Sequence, residues 1–125
     1  MRLILAAVLA FVASGALAQD APPPPSAAVT VSPAEGNWGC IALVDNTKAG
    51  LLTVFQGSYG YASATFGSTA SGTGNAEMGS DGVKFLDGNL ATVGIGYGLV
   101  TTDQSGGDVL TLYNPDKAVL SCTPR

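Results

Sequence analysis

The sequence contains no histidine, only two cysteines and few charged residues, which make up 11% of its 125 residues. Without histidine, the chain cannot form a Ser-His-Asp or Cys-His catalytic site or a histidine-ligated metal site. Two cysteines are too few for a four-thiolate zinc or iron–sulfur site. Five basic residues stand against nine acidic ones, a net charge of −4, which argues against a phosphate-binding face and nucleic acid as a partner.

The first 18 residues have the organisation of a secretory signal peptide. Met1-Arg2 is a short positive region, Leu3 to Leu17 is mostly apolar, and Ala16-Leu17-Ala18 is a small-x-small cleavage site. The apolar run is shorter than the ~20 residues of a membrane-spanning helix. We therefore predict residues 1–18 as a signal peptide, no membrane span after cleavage, and a periplasmic or extracellular location. The remaining residues 19–125 hold four basic and nine acidic residues, a net charge of −5.

Residues 19–33 are predicted to form a proline-rich, flexible tail. Five of the seven prolines lie here, four of them in the run Pro22 to Pro25. Such a run adopts extended polyproline II and cannot join a helix or a central strand. The tail is interpreted either as a spacer between the export signal and the domain or as a recognition arm for a groove on a partner.

Residues 34–125 are predicted to form a single β domain. Apolar and polar residues alternate with period two, and clusters of glycine, asparagine and aspartate interrupt the alternation, as in strands joined by tight turns. These short connections favour an all-β fold, a small antiparallel up-and-down barrel or a sandwich of seven or eight strands. The predicted strands are Trp38–Val44, Leu51–Gln56, Tyr59–Phe66, Gly82–Leu86, Leu90–Val100, Asp108–Tyr113 and Lys117–Thr123, with an eighth near Asn75–Met78.

The two cysteines are predicted to form a structural disulfide between the first and last strands. Cys40 and Cys122 are the only pair available, and an exported chain folds in an oxidising compartment. A redox-active pair is the alternative, but active dithiols usually lie close together in sequence.

Two segments supply a candidate binding surface. In a strand over Leu90–Val100, Gly94, Gly96 and Gly98 would share one face and leave a strip free of side chains, where a flat ligand, a partner strand or a core aromatic residue could approach closely. In the strand Tyr59–Phe66, Tyr59 and Tyr61 share a face whose composition suits carbohydrate or protein, although a half-exposed strand without a function explains it too. With Trp38, the candidate surface comprises Trp38, Tyr59, Tyr61, Gly94, Gly96 and Gly98.

No catalytic residue, metal ligand or cofactor site is predicted. The aspartates concentrate in turns, where such residues usually make Asx-turn hydrogen bonds, although carboxylate pairs can hydrolyse glycosides and turn oxygens can bind calcium. Lys48 or Lys84 could act as the base for a serine nucleophile, but no spacing in the sequence singles out a serine for either lysine. The turn aspartates are Asp45, Asp81, Asp87, Asp103, Asp108 and Asp116.

The opening Gly36-Asn37-Trp38-Gly39-Cys40, the step Phe85-Leu86-Asp87-Gly88 and the closing Cys122 resemble a set of small exported proteobacterial proteins. Their common pattern is a G-x-[YW]-x-C opening, an F-x-x-G step before a strand and a closing cysteine, and the resemblance implies no assigned activity. Trp38 and Cys40 also resemble the early strand of lipocalin-like inhibitors of secreted metalloproteases, which implies inhibition through an N-terminal arm. The second cysteine of those inhibitors lies much nearer the first than Cys122 lies to Cys40.

These observations lead to three functional hypotheses. The first is a non-catalytic binding module of the cell envelope, whose partner is an envelope or extracellular protein or a small ligand. The second is an inhibitor of a secreted protease that acts through the tail and one end of the barrel. The third is an envelope glycan hydrolase that uses turn carboxylates.

Overall fold

Eight antiparallel strands form a closed barrel in which every strand pairs with its neighbours in sequence and β8 pairs with β1. The structure is a computed structural model that describes residues 21–29 and 31–125, so the predicted signal peptide of residues 1–18 lies outside the described residues. The all-β prediction is confirmed, and the architecture is the barrel rather than the sandwich. The strands are β1 (Gly36–Ala42), β2 (Lys48–Phe55), β3 (Ser58–Ser63), β4 (Gly72–Met78), β5 (Gly82–Phe85), β6 (Tyr97–Thr102), β7 (Asp108–Tyr113) and β8 (Ala118–Pro124).

The predicted long strand Leu90–Val100 is wrong. Its first residues belong to a short helix, α1 (Gly88–Thr92), and only the part from Tyr97 onward is a strand. Across the described ranges 21–29 and 31–125, no helix is both long and apolar enough to cross a membrane.

Helix α1 ends in a glycine-dependent turn that explains the error. The Gly94 N–H donates to the Ala91 carbonyl (3.0 Å), and the Ile95 N–H donates to the Leu90 carbonyl (2.9 Å). Crossed bonds of this kind close a helix with a residue in the left-handed region, which Gly94 occupies with φ of 95°. A helix of little more than one turn is too short to impose a 3.6-residue pattern on its sequence.

Inward-facing side chains from seven of the eight strands fill the barrel, and β6 adds the partly buried Val100. They alternate with outward-facing residues, as the period of a β-strand requires. Leu52 and Val54 on β2 and Leu110 and Leu112 on β7 are fully buried. The barrel interior is therefore a packed hydrophobic core. The buried residues that form it are Ala34, Trp38, Cys40, Leu52, Val54, Tyr59, Tyr61, Ala76, Met78, Val83, Phe85, Leu90, Leu110, Leu112, Leu120 and Cys122.

The predicted disulfide is confirmed and spans the seam where the first and last strands meet. Cys40 and Cys122 are register partners in the β1–β8 pair, and their Cα atoms lie 3.9 Å apart. The bond links residues 82 positions apart in sequence. It therefore fixes the closure of the barrel covalently as well as through backbone hydrogen bonds.

Side-chain hydrogen bonds hold the segments before β1 and after β5 against the barrel. The Trp38 indole N–H donates to the carbonyl of Ala34 (2.8 Å), and both residues are buried. After β5, the Tyr59 hydroxyl donates to the Asp87 carbonyl (2.7 Å) and accepts from the Leu90 N–H (3.0 Å). This hydroxyl satisfies one of the free N–H groups at the start of α1 and fixes the buried Leu90 in place.

The proline-rich segment also lies against the barrel where it is described. Val29 N–H donates to the Met78 carbonyl (3.0 Å), and Ala28 forms an isolated β-bridge with Gly79. The Ser32 hydroxyl donates to the Gly82 carbonyl (2.9 Å). The sequence suggested a flexible tail here; in the structure, the described part of the segment is docked on the turn between β4 and β5.

Replacing Gly82 with alanine is expected to destabilise the protein by about 1–3 kcal/mol, because overpacking a tight site forces the surroundings to move. A β-carbon at Gly82 would stand 2.0 Å from the backbone oxygen of Gly98 on the adjacent strand. Gly96→Ala is the matched control, since no atom lies within 4 Å of that position and its φ is ordinary. Its effect should stay within about 0.5 kcal/mol. Urea denaturation followed by circular dichroism measures both; equal stabilities for the two variants would contradict the close approach of β5 and β6.

Candidate binding surfaces

The aromatic residues predicted for a binding surface lie in the core instead. Trp38 and Tyr59 are each 3% exposed, and Tyr61 is 6% exposed. Tyr59 packs edge-on against Phe85, with ring centroids 4.8 Å apart. Burial raises the pKa of Tyr61. The pairing of Tyr59 and Tyr61 on one face of β3 is correct, but that face is the inner one, because large rings fill a barrel whose strands contain many glycines.

The three glycines predicted to form a strip do not share a face. Gly94 ends helix α1, and Gly96 is exposed before β6 begins. Gly98 faces the interior, where a β-carbon would stand 2.6 Å from Leu112 Cδ2 and 2.9 Å from Leu110 Cδ1. The six predicted residues therefore form no single surface, because α1 interrupts the strand on which the strip depended.

Two of the turn aspartates hold the ends of nearby strands. The Asp87 carboxylate accepts hydrogen bonds from the backbone N–H of Asn75 (2.7 Å) and from its side-chain amide (3.0 Å). The Asp45 carboxylate accepts from the hydroxyl (2.7 Å) and the backbone N–H (3.1 Å) of Thr47. These bonds lower the pKa of both carboxyl groups, since each favours the charged form.

Asp103 organises the β6–β7 turn in the same manner. Its carboxylate accepts from the Ser105 hydroxyl (2.7 Å) and from the backbone N–H of Gly107 (2.9 Å), and these bonds lower its pKa. A general acid in glycoside hydrolysis needs a carboxyl group with a raised pKa. Asp45, Asp87 and Asp103 have the opposite shift, because their carboxylates accept structural hydrogen bonds: Asp45 and Asp103 within their own turns, and Asp87 from Asn75 on β4. In residues 21–29 and 31–125, no three acidic or cysteine side chains are grouped closely enough to hold a metal ion.

A groove of about 490 Å³ crosses the outer face of β8, β1, β2 and β3. We refer to it as the cationic groove. Leu51, 48% exposed, and Ile41 form its apolar floor. Its lining residues are Gly39, Cys40, Ile41, Lys48, Gly50, Leu51, Ala62, Ser63, Ala64, Thr123 and Arg125.

Two basic residues flank this floor. The Arg125 side chain lies directly over Gly39, with its Cδ 2.8 Å from the position that a β-carbon there would take. Ile41 lies two residues after Gly39 on β1, about 7 Å further along the strand. Lys48 on β2 is the register partner of Ile41. Among the residues that the structure describes, one ion pair is formed, between Lys84 and Glu77. Lys48 and Arg125 therefore form no ion pair with any described residue.

A second groove, of about 560 Å³, lies over β2, β3 and β4 and carries no charged side chain. Phe55, 60% exposed, stands at one side. Thr53, Gly60 and Thr73 are register partners across the three strands, which places glycine between two threonine side chains. The lining residues are Thr53, Phe55, Ser58, Tyr59, Gly60, Thr73, Gly74 and Asn75.

A third feature is a pair of tyrosines beneath the proline-rich segment. Tyr97 on β6 and Tyr113 on β7 stack with ring centroids 5.2 Å apart and an interplanar angle of 15°. The Tyr97 hydroxyl donates a hydrogen bond to the Pro22 carbonyl. Burial, and secondarily the neighbouring Tyr113, raise the pKa of Tyr97.

None of these three surfaces was identified from the sequence, because each depends on the register of paired strands and on which of their faces points outward. Lys48 and Arg125 lie 77 positions apart, and only the pairing of β1 with both β2 and β8 brings them to one groove. The sequence signal for the groove was the pair Leu51-Leu52. Neighbouring residues of a strand face opposite sides, so one of the two leucines had to lie on the outer face. No family model, curated protein or solved structure matches the chain.

Proposed function

We propose that this protein is an exported, non-catalytic binding module of the cell envelope. The observation that carries the proposal is the cationic groove, an exposed apolar floor between Lys48 and Arg125. Core side chains fill the barrel interior, so a partner binds at the outer surface. Export is supported by the signal-peptide pattern of residues 1–18 and by the disulfide, which forms and persists in oxidising compartments.

The groove has the composition of a protein-binding surface. Exposed Leu51 and Ile41 can lose water on contact, and each 100 Å² of apolar surface removed from water contributes roughly 2.5 kcal/mol before the costs of association. Lys48 and Arg125 add charge complementarity for acidic groups at the rim, which steers association and selects partners. Residues 19–125 carry a net charge of −5, so a basic groove is a local exception on an acidic protein. The proposed partner is a protein whose contact surface combines an acidic group with an apolar side chain.

Protease inhibition through a projecting N-terminal arm receives less support. That mechanism requires the proline-rich segment to reach away from the barrel. In the structure, Val29 and Ala28 bond to the β4–β5 turn, and Pro25 is buried against Gly79. An arm held in this manner is not available to a protease until it is released.

The experiment is affinity capture from the envelope fraction with tagged residues 19–125, followed by affinity measurement with the captured protein. Leu51→Asp and Lys48→Glu are expected to weaken binding by about tenfold or more each, since they place acidic groups in a basic, apolar groove. The matched control is Thr101→Asp, an exposed position on β6 that is remote from the groove in the strand order.

The outcomes separate clearly. Loss of binding in both groove variants, with Thr101→Asp unchanged, supports the proposal. A partner that binds the wild-type protein and both groove variants equally would contradict the groove as the binding site. Circular dichroism of each variant confirms that the barrel is intact.

A further inference from the structure

Tyr97 is buried, but it is not part of the barrel core. Its neighbour Gly98 faces inward against Leu110 and Leu112, so the alternation of β6 directs the Tyr97 side chain outward. An outward tyrosine on a barrel is ordinarily exposed, yet Tyr97 is 9% exposed. The Pro22 carbonyl that accepts the bond from its hydroxyl shows what covers it.

The segment that covers Tyr97 continues along the barrel with backbone contacts. Pro25 is buried, and its Cβ is 2.6 Å from the position of a β-carbon at Gly79, so only glycine admits it there. Beyond it, the Ser80 N–H donates to the Ala27 carbonyl (3.2 Å), and the Val29 N–H donates to the Met78 carbonyl (3.0 Å). The proline run thus bonds to one member of a stacked tyrosine pair through Pro22 and packs on Gly79 through Pro25, and the residues after it pair with the β4–β5 turn through their backbone.

These contacts are those of a peptide-recognition site. Polyproline II has no internal hydrogen bonds, so its carbonyls are free to accept from a tyrosine hydroxyl, and its rigid backbone loses little entropy on docking. Stacked aromatic rings provide a flat apolar surface for proline rings, and strand addition supplies further affinity through main-chain bonds.

We infer that the surface formed by Tyr97, Tyr113 and Gly79, which we name the tyrosine site, recognises proline-rich peptide segments and that residues 22–29 of this chain occupy it in cis. A partner protein with an extended proline-rich segment binds by displacing the chain's own segment. The preferred ligand has several consecutive prolines followed by residues free to pair through their backbone, as Ala27 and Ala28 do. This site is separate from the cationic groove, so the two proposals stand or fail independently.

Because the chain's own segment occupies the tyrosine site, it competes with any partner peptide. A short tether holds the segment at an effective concentration on the order of millimolar, and a competing peptide must overcome that concentration. The apparent affinity for a partner is the intrinsic affinity multiplied by the fraction of molecules in which the site is free. Release of the segment would therefore increase the affinity for a partner without any change in the barrel.

The test uses a synthetic peptide of residues 21–29 and full-length mature protein in which Pro22, Pro23, Pro24 and Pro25 are replaced by alanine. The peptide is expected to bind this variant at least about tenfold more tightly than it binds the wild-type protein, because the cis competitor is weakened. Adding Tyr97→Phe to the variant should reduce binding, since the hydroxyl donor is lost. A peptide with alanine in place of its four prolines should not bind.

Binding is measured by isothermal titration calorimetry, and NMR reports which rings respond. Equal affinity of the peptide for wild type and variant, or equal binding of the alanine peptide, would overturn the inference. If the variant does not fold, the wild-type protein is titrated with the peptide at millimolar concentration. Shifts of the Tyr97 and Tyr113 ring signals with loss of Val29 amide protection then support the inference, and unchanged spectra refute it.

Discussion

Reduction of the Cys40–Cys122 disulfide is expected to lower the free energy of unfolding by about 4–5 kcal/mol. The bond closes a segment of 82 residues, and in the chain-entropy treatment a loop of that length restricts the unfolded chain by this amount. The whole stability of a small domain is about 5–15 kcal/mol, so the reduced protein should be at the margin of folding.

The measurement is urea denaturation of the oxidised protein, the protein in excess dithiothreitol, and the Cys40→Ser/Cys122→Ser variant. The reduced protein and the double variant should have similar midpoints, both well below that of the oxidised protein. A difference below about 1 kcal/mol would show that the β1–β8 hydrogen bonds close the barrel without covalent help.

Truncation of Trp38 to alanine is expected to cost about 3–5 kcal/mol, which is typical of a large aromatic side chain removed from a core. Trp38 is 3% exposed, and its indole N–H binds the carbonyl of the fully buried Ala34. The truncation leaves both a cavity and an unsatisfied carbonyl. Trp38→Phe retains most of the ring packing and should cost less.

Phe66→Ala is the matched control, because Phe66 is fully exposed at 103% and its truncation should change stability by less than about 0.5 kcal/mol. Trp38 is the only tryptophan, so unfolding is followed by far-ultraviolet circular dichroism rather than fluorescence. Similar costs for Trp38→Ala and Phe66→Ala would contradict the placement of Trp38 in the core.

Most of the barrel was predictable because hairpin signals are local. Period-two alternation and turn residues such as Asp81-Gly82 identify strands without knowledge of their partners. The disulfide followed from having one pair of cysteines at the two ends of the predicted domain. Apart from Leu90–Val100, which also includes α1, six of the predicted strands contain most of an observed strand, and the segment near Asn75–Met78 is the second half of β4.

The direction of the faces was not predictable in the same way. Alternation groups Tyr59 with Tyr61 but does not say whether that group points inward, and exposed Phe55 and buried Leu52 lie on the same strand. Which face becomes the core depends on the total volume that eight strands enclose, a property of the whole barrel.

The missed helix had a sequence signal that strand alternation obscured. Asp87 at the N-cap position, the apolar Leu90 three residues later and Gly94 after the last helical turn mark the start and end of a short helix. The docking of the proline-rich segment had no comparable signal, because it depends on Tyr97 and Tyr113 becoming neighbours through β6–β7 pairing. The cationic groove similarly requires register between three strands.

The disulfide at the barrel seam also determines how the protein responds to mechanical load. Tension between residue 21 and residue 125 passes from Cys40 to Cys122 through the covalent bond, so the chain between these cysteines bears none of it. Only the segment before Cys40 and the three residues after Cys122 can extend. Pulling at both ends would therefore peel the proline-rich segment from Tyr97 while the enclosed strands stay paired, which makes the N-terminal segment the compliant part of an otherwise inextensible module.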